Sequence, residues 1–312
     1  MTGRYALIFP GQGAQKVGMG RELHDAFDAA RATFSEADAA LGEPLSRLVF
    51  EGPAETLTLT ANTQPSILTV SVAALRALAA RITLAPSFVA GHSLGEYSAL
   101  VASGAMSFAD AVRTTRARGT FMQQAVPAGQ GAMAAVMKRS EAEVADACAQ
   151  AAQGEVVSPA NFNSPDQIVI SGHADAVARA SALLKEGGGR VIPLKVSAPF
   201  HCALMEPAAT RLSQVLDALR FCDPSIPVYT NVDAAPVGTA FAAREALVRQ
   251  VASPVRFAEE VSRMADDGIE TFVEFGPGRV LAGLIRRILK GARVLSVSDA
   301  AGLTAALLEL EG

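Results

Sequence analysis

Five residues, Gly91-His92-Ser93-Leu94-Gly95, constrain this chain more than any other segment. They follow a short apolar run, Ser87 to Ala90, and precede a helical stretch, Leu94 to Ala102, so the order is strand, tight turn, helix. A turn of this kind crowds its flanks until glycine is needed there, and it lifts the central side chain above the sheet edge. Ser93 is thereby a rigidly aimed hydroxyl. At a helix N-terminus, backbone N–H groups face the same space and can bind an oxyanion.

The rest of the chain supplies the sheet that such a turn requires. Strands are expected at Tyr5 to Phe9, Pro227 to Thr230, Thr271 to Glu274 and Arg293 to Val297. Between them lie helices across Gly18 to Ala40, Ser66 to Arg81, Ser107 to Gln124, Leu204 to Leu219, Arg244 to Val251, Arg256 to Asp266 and Arg279 to Leu289. Such alternation predicts a largely parallel sheet covered on both faces.

From Ala132 to Leu194 the order changes to strand Ala132 to Met137, helix Ser140 to Ala151, strands Val156 to Asn161 and Gln167 to Ser171, helix Ala174 to Glu186 and strand Arg190 to Leu194. That βαββαβ unit is bounded by Gly/Pro-rich joints at Pro127 to Gly131 and Pro193 to Pro199. The expected fold class is α/β. A large α/β-hydrolase-like domain, residues 1–127 and 198–312, carries an inserted ferredoxin-like subdomain, residues 128–197. A chain of 312 residues is long enough to bury both cores.

A formal charge of −4 offers no global attraction for phosphate backbones or anionic lipid, which argues against nucleic acid and membrane surfaces as partners. The longest apolar stretch, Ile67 to Ile82, is interrupted by Arg76 and Arg81 and reads as a buried helix, not a membrane span. The apolar run at the N-terminus is too short for a signal-peptide core. Cys148, Cys202 and Cys222 fit no zinc or CxxC spacing and read as reduced thiols, so a cytoplasmic setting without a metal site is expected.

A serine nucleophile needs a base, and the chain has four histidines. His24 falls on a polar helix face, and His173 falls in a helix-cap region. His92 is adjacent to Ser93 in an extended segment, where consecutive side chains diverge, and so suits packing or hydrogen bonding. His201 lies where the chain returns to the large domain, at a hinge where clefts form. Nothing around its neighbour Cys202 suggests an activated thiol. The glycine turn Pro10-Gly11-Gln12-Gly13 lacks a third glycine where Lys16 stands and a P-loop lysine where Met19 stands, so both nucleotide-binding readings fail. What remains is a turn that can bring a backbone N–H close to another atom.

Pro10-Gly11-Gln12-Gly13, Gly91-His92-Ser93-Leu94-Gly95-Glu96-Tyr97, Arg118-Gly119, Asn161-Phe162-Asn163-Ser164, His201 and Gly276-Pro277-Gly278 together resemble the malonyl-CoA:acyl carrier protein transacylase family, in the family's order and nearly end to end. The resemblance implies that Ser93 is acylated and that His201 is its general base and acid. It implies an oxyanion hole from the backbone N–H groups of Gln12 and Leu94. Arg118 would hold the malonyl carboxylate through its planar fork. The backbone carbonyl of Gln250 would orient His201, in place of the Asp or Glu that an α/β-hydrolase normally supplies.

On this reading malonyl-CoA and acyl carrier protein are the partners, coenzyme A is a substrate, and no cofactor is needed. Phe200 resembles the malonyl-selecting choice beside the base, where its ring would crowd an α-methyl group. The outer side of the Arg279 to Leu289 helix, with Arg286, Arg287 and Lys290, suits an acidic carrier. Two other enzymes share the same residues: a discrete acyltransferase of a polyketide assembly line, and a serine hydrolase that releases the acyl group to water. An inactive carrier-binding scaffold would be expected to have lost Ser93 or His201, and neither is lost.

Overall fold

The computed structural model describes residues 4–311. In chain order its strands are β1 (Tyr5–Phe9), β2 (Phe88–Gly91), β3 (Gly131–Met137), β4 (Val157–Ser164), β5 (Gln167–His173), β6 (Arg190–Pro193), β7 (Val228–Thr230), β8 (Ala235–Val237), β9 (Thr271–Phe275) and β10 (Arg293–Val297). A six-stranded sheet has the order β10-β9-β1-β2-β7-β8. All its neighbours pair in parallel except β7 with β8, which closes one edge as an antiparallel hairpin.

The side chains of β1 show why this sheet must be covered on both faces. Leu7 and Phe9 join a core built on the helix Thr60–Ala79, while Ala6 and Ile8 join one built on Phe257, Val261 and Met264 of the helix Phe257–Asp266 and on Leu281, Leu284 and Ile285. Alternate residues of a strand point to opposite faces, so an apolar run such as Tyr5–Phe9 is stable only with a helical layer on each side. Each fully buried Leu, Ile or Phe here contributes roughly 1.5–3 kcal/mol.

The second sheet is antiparallel throughout, with the order β4-β5-β3-β6. That is the ferredoxin-like strand order the sequence pattern predicts. Ala134 and Val136 of β3 face the helices Glu141–Ala152 and Ala174–Glu186, where Val144, Ala147, Val177 and Leu184 complete a small separate core. The alternate residues Met133 and Ala135 face the other way and join the core of the large sheet. One face of the inserted unit is therefore spent on the large sheet's domain.

Helices begin where capping residues stand. Ser107 caps Phe108–Gln124 by accepting from the Asp110 N–H, and Ser140 forms a reciprocal capping box with Glu143. The segment 18–40 is two helices, Arg21–Ala26 and Asp28–Leu41, because Gly18 and Gly20 are left-handed and Phe27 is extended. The helix expected from Ser66 begins at Thr60 and carries Pro65 within it. Sequence reading also missed the helices Leu45–Glu51, Ala54–Thr58 and Ala300–Glu311 and the three-residue strand β8. The first two helices and β8 are too short to show a period, and Ala300–Glu311 is apolar with little sidedness.

Candidate active site

Ser93 stands two residues beyond the end of β2, and its backbone is left-handed at φ 51°, the conformation that a sharp strand-to-helix turn imposes on a residue other than glycine. The flanking glycines are required sterically. A Cβ on Gly95 would lie 1.9 Å from the Phe9 carbonyl oxygen, and one on Gly91 would lie 2.0 Å from the Gly95 carbonyl carbon. Gly11 is pressed just as closely on the carbonyl of His92, at 2.5 Å. The Gln12 loop and the serine turn thus pack backbone to backbone.

His201 is buried, and its Nε2 lies 2.7 Å from Ser93 Oγ. Its Nδ1 lies 2.9 Å from the backbone carbonyl oxygen of Gln250. A carbonyl can only accept, so Nδ1 carries the ring proton and Nε2 is left to accept from the serine. Burial, reinforced by the nearby Arg118 charge, pushes the His201 pKa down to about 3, so the ring is neutral and able to take a proton.

Arg118 is 1% exposed, on the helix Phe108–Gln124. Its Nη1 donates to Gln64 Oε1 at 2.9 Å, and its Nη2 donates to Gln250 Oε1 at 2.8 Å and to Ser93 Oγ at 3.1 Å. All three acceptors are uncharged, and Nε has no partner among the described residues. A buried cation satisfied only by amide and hydroxyl oxygens is a ready receptor for an anion. Gly119 explains the placement, since a Cβ there would lie 2.5 Å from the Thr60 carbonyl oxygen. Its absence lets the arginine's helix press against the helix Thr60–Ala79.

A cavity of about 610 Å³ opens over Ser93. Gln12, Leu94, Arg118, Phe200 and His201 all line it, as do Met122, Met133 and Asn161. Loops that follow strands of the large sheet and strands of the small one both contribute. Asn161 sits on β4, which is bridged to Val255, while Asn163 on the same strand has its Oδ1 2.8 Å from His92 Nε2. His92 thus has the hydrogen-bonding role expected of it, tying the inserted sheet to the serine turn. Arg286, Arg287 and Lys290 are exposed at the end of the helix Val280–Ile288 and just beyond it, and none of them lines the cavity.

Other residues fall into place. The Cys202 thiol donates to the Pro199 carbonyl at 3.2 Å, and burial raises its pKa, which disfavours the reactive thiolate. His173 stands at a helix N-cap but accepts from the Val156 N–H at 2.9 Å instead of capping. His24, expected on a solvated face, packs edge-on against Phe34 and Phe50 with Nδ1 2.7 Å from Asp25.

Residues 6–305 match the acyl transferase domain family. The malonyl CoA-acyl carrier protein transacylase of Escherichia coli K12 is 48% identical over 97% of this chain and 99% of its own, and that of Bacillus subtilis is 50% identical over 95% and 94%. The chain belongs to this transacylase family. Among solved structures, an acyl carrier protein S-malonyltransferase from Vibrio cholerae superposes with a TM-score of 0.95 at 49% identity, covering 97% of this chain and 99% of that one. A malonyl-transacylase in complex with its type II PKS acyl-carrier protein superposes at 0.96 with 46% identity, covering 98% and 99%.

Around Ser93 lie further buried residues to which the sequence alone assigns no role. Glu96 and Glu260 are buried, and both have raised pKa values because burial disfavours their charge; Glu96 is pushed up to about 7. Glu96 Oε2 accepts from the Asn231 N–H at 2.9 Å and from Gln250 Nε2 at 2.8 Å. Gln250 Nε2 also donates to the Ser93 carbonyl at 3.0 Å. An acid inside the apolar run Leu94 to Ala102 was the available signal for Glu96.

Proposed function

We propose that this chain is a malonyl-CoA:acyl carrier protein S-malonyltransferase of fatty-acid biosynthesis, acting by two successive acyl transfers through malonyl-Ser93. The observation that carries the malonyl reading is the contact between the buried Arg118 guanidinium and Ser93 Oγ, at 3.1 Å. In a malonyl thioester a single carbon separates the reacting carbonyl from the carboxylate. A site for it must therefore set its cation beside its nucleophile, as this one does. The relatives named above support coenzyme A and carrier protein as the two thiol partners.

Ser93 Oγ would attack the thioester carbonyl while its proton passes to His201 Nε2. The resulting oxyanion would lie against the backbone N–H groups of Gln12 and Leu94. As the carbon–sulfur bond breaks, the same proton would pass from His201 to the departing thiolate of coenzyme A. The carrier's phosphopantetheine thiol then repeats the steps in reverse, giving its proton to His201 and restoring free Ser93. No cofactor enters this scheme. We take residues 1–127 and 198–312 as the catalytic unit and 128–197 as the insertion that walls its cavity. Among the described residues no helix is long and apolar enough to cross a membrane, and we place the enzyme in the cytoplasm.

Intact mass after exposure to malonyl-CoA tests the reading. The wild type should gain one malonyl group on Ser93, release it to holo-acyl carrier protein, and lose both abilities in Ser93→Ala, a change that removes several orders of magnitude of rate. An adduct on Cys202, or consumption of malonyl-CoA at the same rate with and without carrier, would overturn it. A polyketide carrier accepted far better than a fatty-acid carrier would move the enzyme to the other pathway.

A further inference from the structure

The left-handed backbone of Ser93 must be held against its own preference: Gln250 Nε2 holds its carbonyl at 3.0 Å, and a second side chain holds its N–H. Asn231 directly follows β7, the parallel neighbour of β2, so it stands at the end of the strand next to the one that delivers the nucleophile. Its Oδ1 accepts from the Ser93 N–H at 2.6 Å, and its Nδ2 donates to the Gly91 carbonyl at 2.6 Å. One amide therefore holds the two peptide groups on either side of His92, the second of which carries the Ser93 N–H.

An amide meets the donor and acceptor pattern here in every protonation state of the surroundings. A backbone N–H can only donate and a carbonyl can only accept, so the bridging side chain must offer one acceptor and one donor at fixed separation. Ionised aspartate has the shape without the donor, and alanine and leucine have neither donor nor acceptor. Asn231 is itself fixed from behind, because Nδ2 also donates to Glu260 Oε1 at 2.8 Å and its backbone N–H donates to Glu96 Oε2 at 2.9 Å. Oδ1 takes a further bond from Gln250 Nε2 at 3.2 Å, which links the clamp to the residue whose carbonyl orients His201. Glu96, Gln250, Glu260 and Asn231 are all buried, so water does not compete for these bonds.

We propose that Asn231 is a positioning residue that locks Ser93 into its attacking conformation, acting on the nucleophile's backbone and not on the substrate. The inference rests on the reading of Ser93 as the acylated residue. It does not require the acyl group to be malonyl. A nucleophile displaced by about 1 Å can lose on the order of a hundredfold in rate. The loss belongs in the acylation rate, because Asn231 neither bonds Arg118 nor lines the cavity.

Two reagents separate this proposal from the proposed function: malonyl-CoA, and a fluorophosphonate that labels reactive serines without needing Arg118. Single-turnover acylation of Ser93 by malonyl-CoA in Asn231→Ala should be roughly 30- to 100-fold slower than wild type, while the half-saturating concentration changes less than about threefold. Fluorophosphonate labelling of Ser93 should slow to a similar degree. If the alanine variant does not fold, Asn231→Leu combined with Glu260→Gln keeps nearly the same volume and leaves no orphaned carboxylate, yet offers neither the acceptor to Ser93 nor the donor to Gly91. It should show the same slowing. A folded variant that acylates and labels at wild-type rates, or whose whole loss lies in the half-saturating concentration, overturns the proposal. If wild type takes up the fluorophosphonate but no malonyl group, the proposed function fails and the labelling rates still test the clamp.

Discussion

The guanidinium of Arg118 donates to the hydroxyl oxygen of Ser93 at 3.1 Å, so a buried cation and the attacking atom are in direct contact before any substrate arrives. On the proposed function, that contact would couple acyl selection to chemistry. A carboxylate arriving at Arg118 would find a partner whose desolvation has already been met by folding, and would be delivered within reach of the nucleophile.

Removing Arg118 should therefore discriminate between acyl groups. Loss of one partner of a buried ion pair costs roughly 3–5 kcal/mol, on the order of a thousandfold in rate. Arg118→Ala should lose about that much kcat/KM with malonyl-CoA, while acetyl-CoA, which has no carboxylate, is spared or improved. Arg118→Lys should recover little, since an ammonium cannot reach Gln64, Gln250 and substrate through one planar fork. Equal losses on both acyl groups would reduce Arg118 to a structural role.

The pH dependence follows from His201. Its folded pKa of about 3 lies below the ordinary 6.5, because burial and Arg118 disfavour the imidazolium. A base works unprotonated, so its competence is lost only as pH falls through about 3, not through 6.5. Between those values the unfolded chain binds the extra proton, and this group's contribution to stability declines steadily as pH is lowered. Glu96 and Glu274, raised from 4.5 to about 7, act in the opposite sense, binding more protons when folded and adding stability as pH falls from 7 to 4.5. Below 4.5 that support is complete and the cost at His201 still grows. Acylation kcat/KM should thus be flat to within about twofold from pH 8 to about 4.5, and fall only below that, in step with far-ultraviolet dichroism. A step in rate near 6.5, with dichroism unchanged, would contradict a neutral buried His201.

How much of this site was legible in the sequence depends on how local each signal is. Ser93 was legible because its strand, turn and helix are contiguous, and His201 because it stands at a joint between two patterns. Arg118 and the Gln250 carbonyl came only through family resemblance, since on spacing alone Arg118 reads as a surface arginine. Asn231 could not be found that way. Its role arises from β7 pairing with β2, a contact between residues 138 apart along the chain that no local period encodes. The fold's layers were legible for the same reason as Ser93, because strands such as Tyr5–Phe9 carry their own apolar run.

Carrier docking is a separate question from the cavity. Arg286, Arg287 and Lys290 remain our proposal for the acidic partner, and as exposed charges they would act mainly on encounter. Neutralising Arg286 and Arg287 together should raise KM for the carrier by roughly three- to tenfold at low salt and by much less at high salt. Acylation by malonyl-CoA should be unaffected. A carrier KM indifferent to both salt and the double substitution would show that the carrier binds elsewhere.

Phe200 bears on the size of the acyl group. It immediately precedes His201, is buried, and lines the cavity together with Met122 and Met133. An α-methyl group on the acyl chain needs volume beside the base, and an aromatic ring in that space resists it, since overpacking a well-filled site is costly. The two methionines limit the effect, because their flexible side chains yield where a branched or aromatic wall would not. A pocket discriminates one methyl group by only about 1–3 kcal/mol, or roughly 10- to 200-fold. Phe200→Ser should therefore narrow the malonyl-to-methylmalonyl ratio of kcat/KM by about tenfold, leaving part of the preference in place. The loss should appear as faster methylmalonyl transfer, not as slower malonyl transfer, because Ser93, His201 and Arg118 keep their mutual bonds. An unchanged ratio in a folded, active variant would place the gate for the α-carbon on other walls of the cavity.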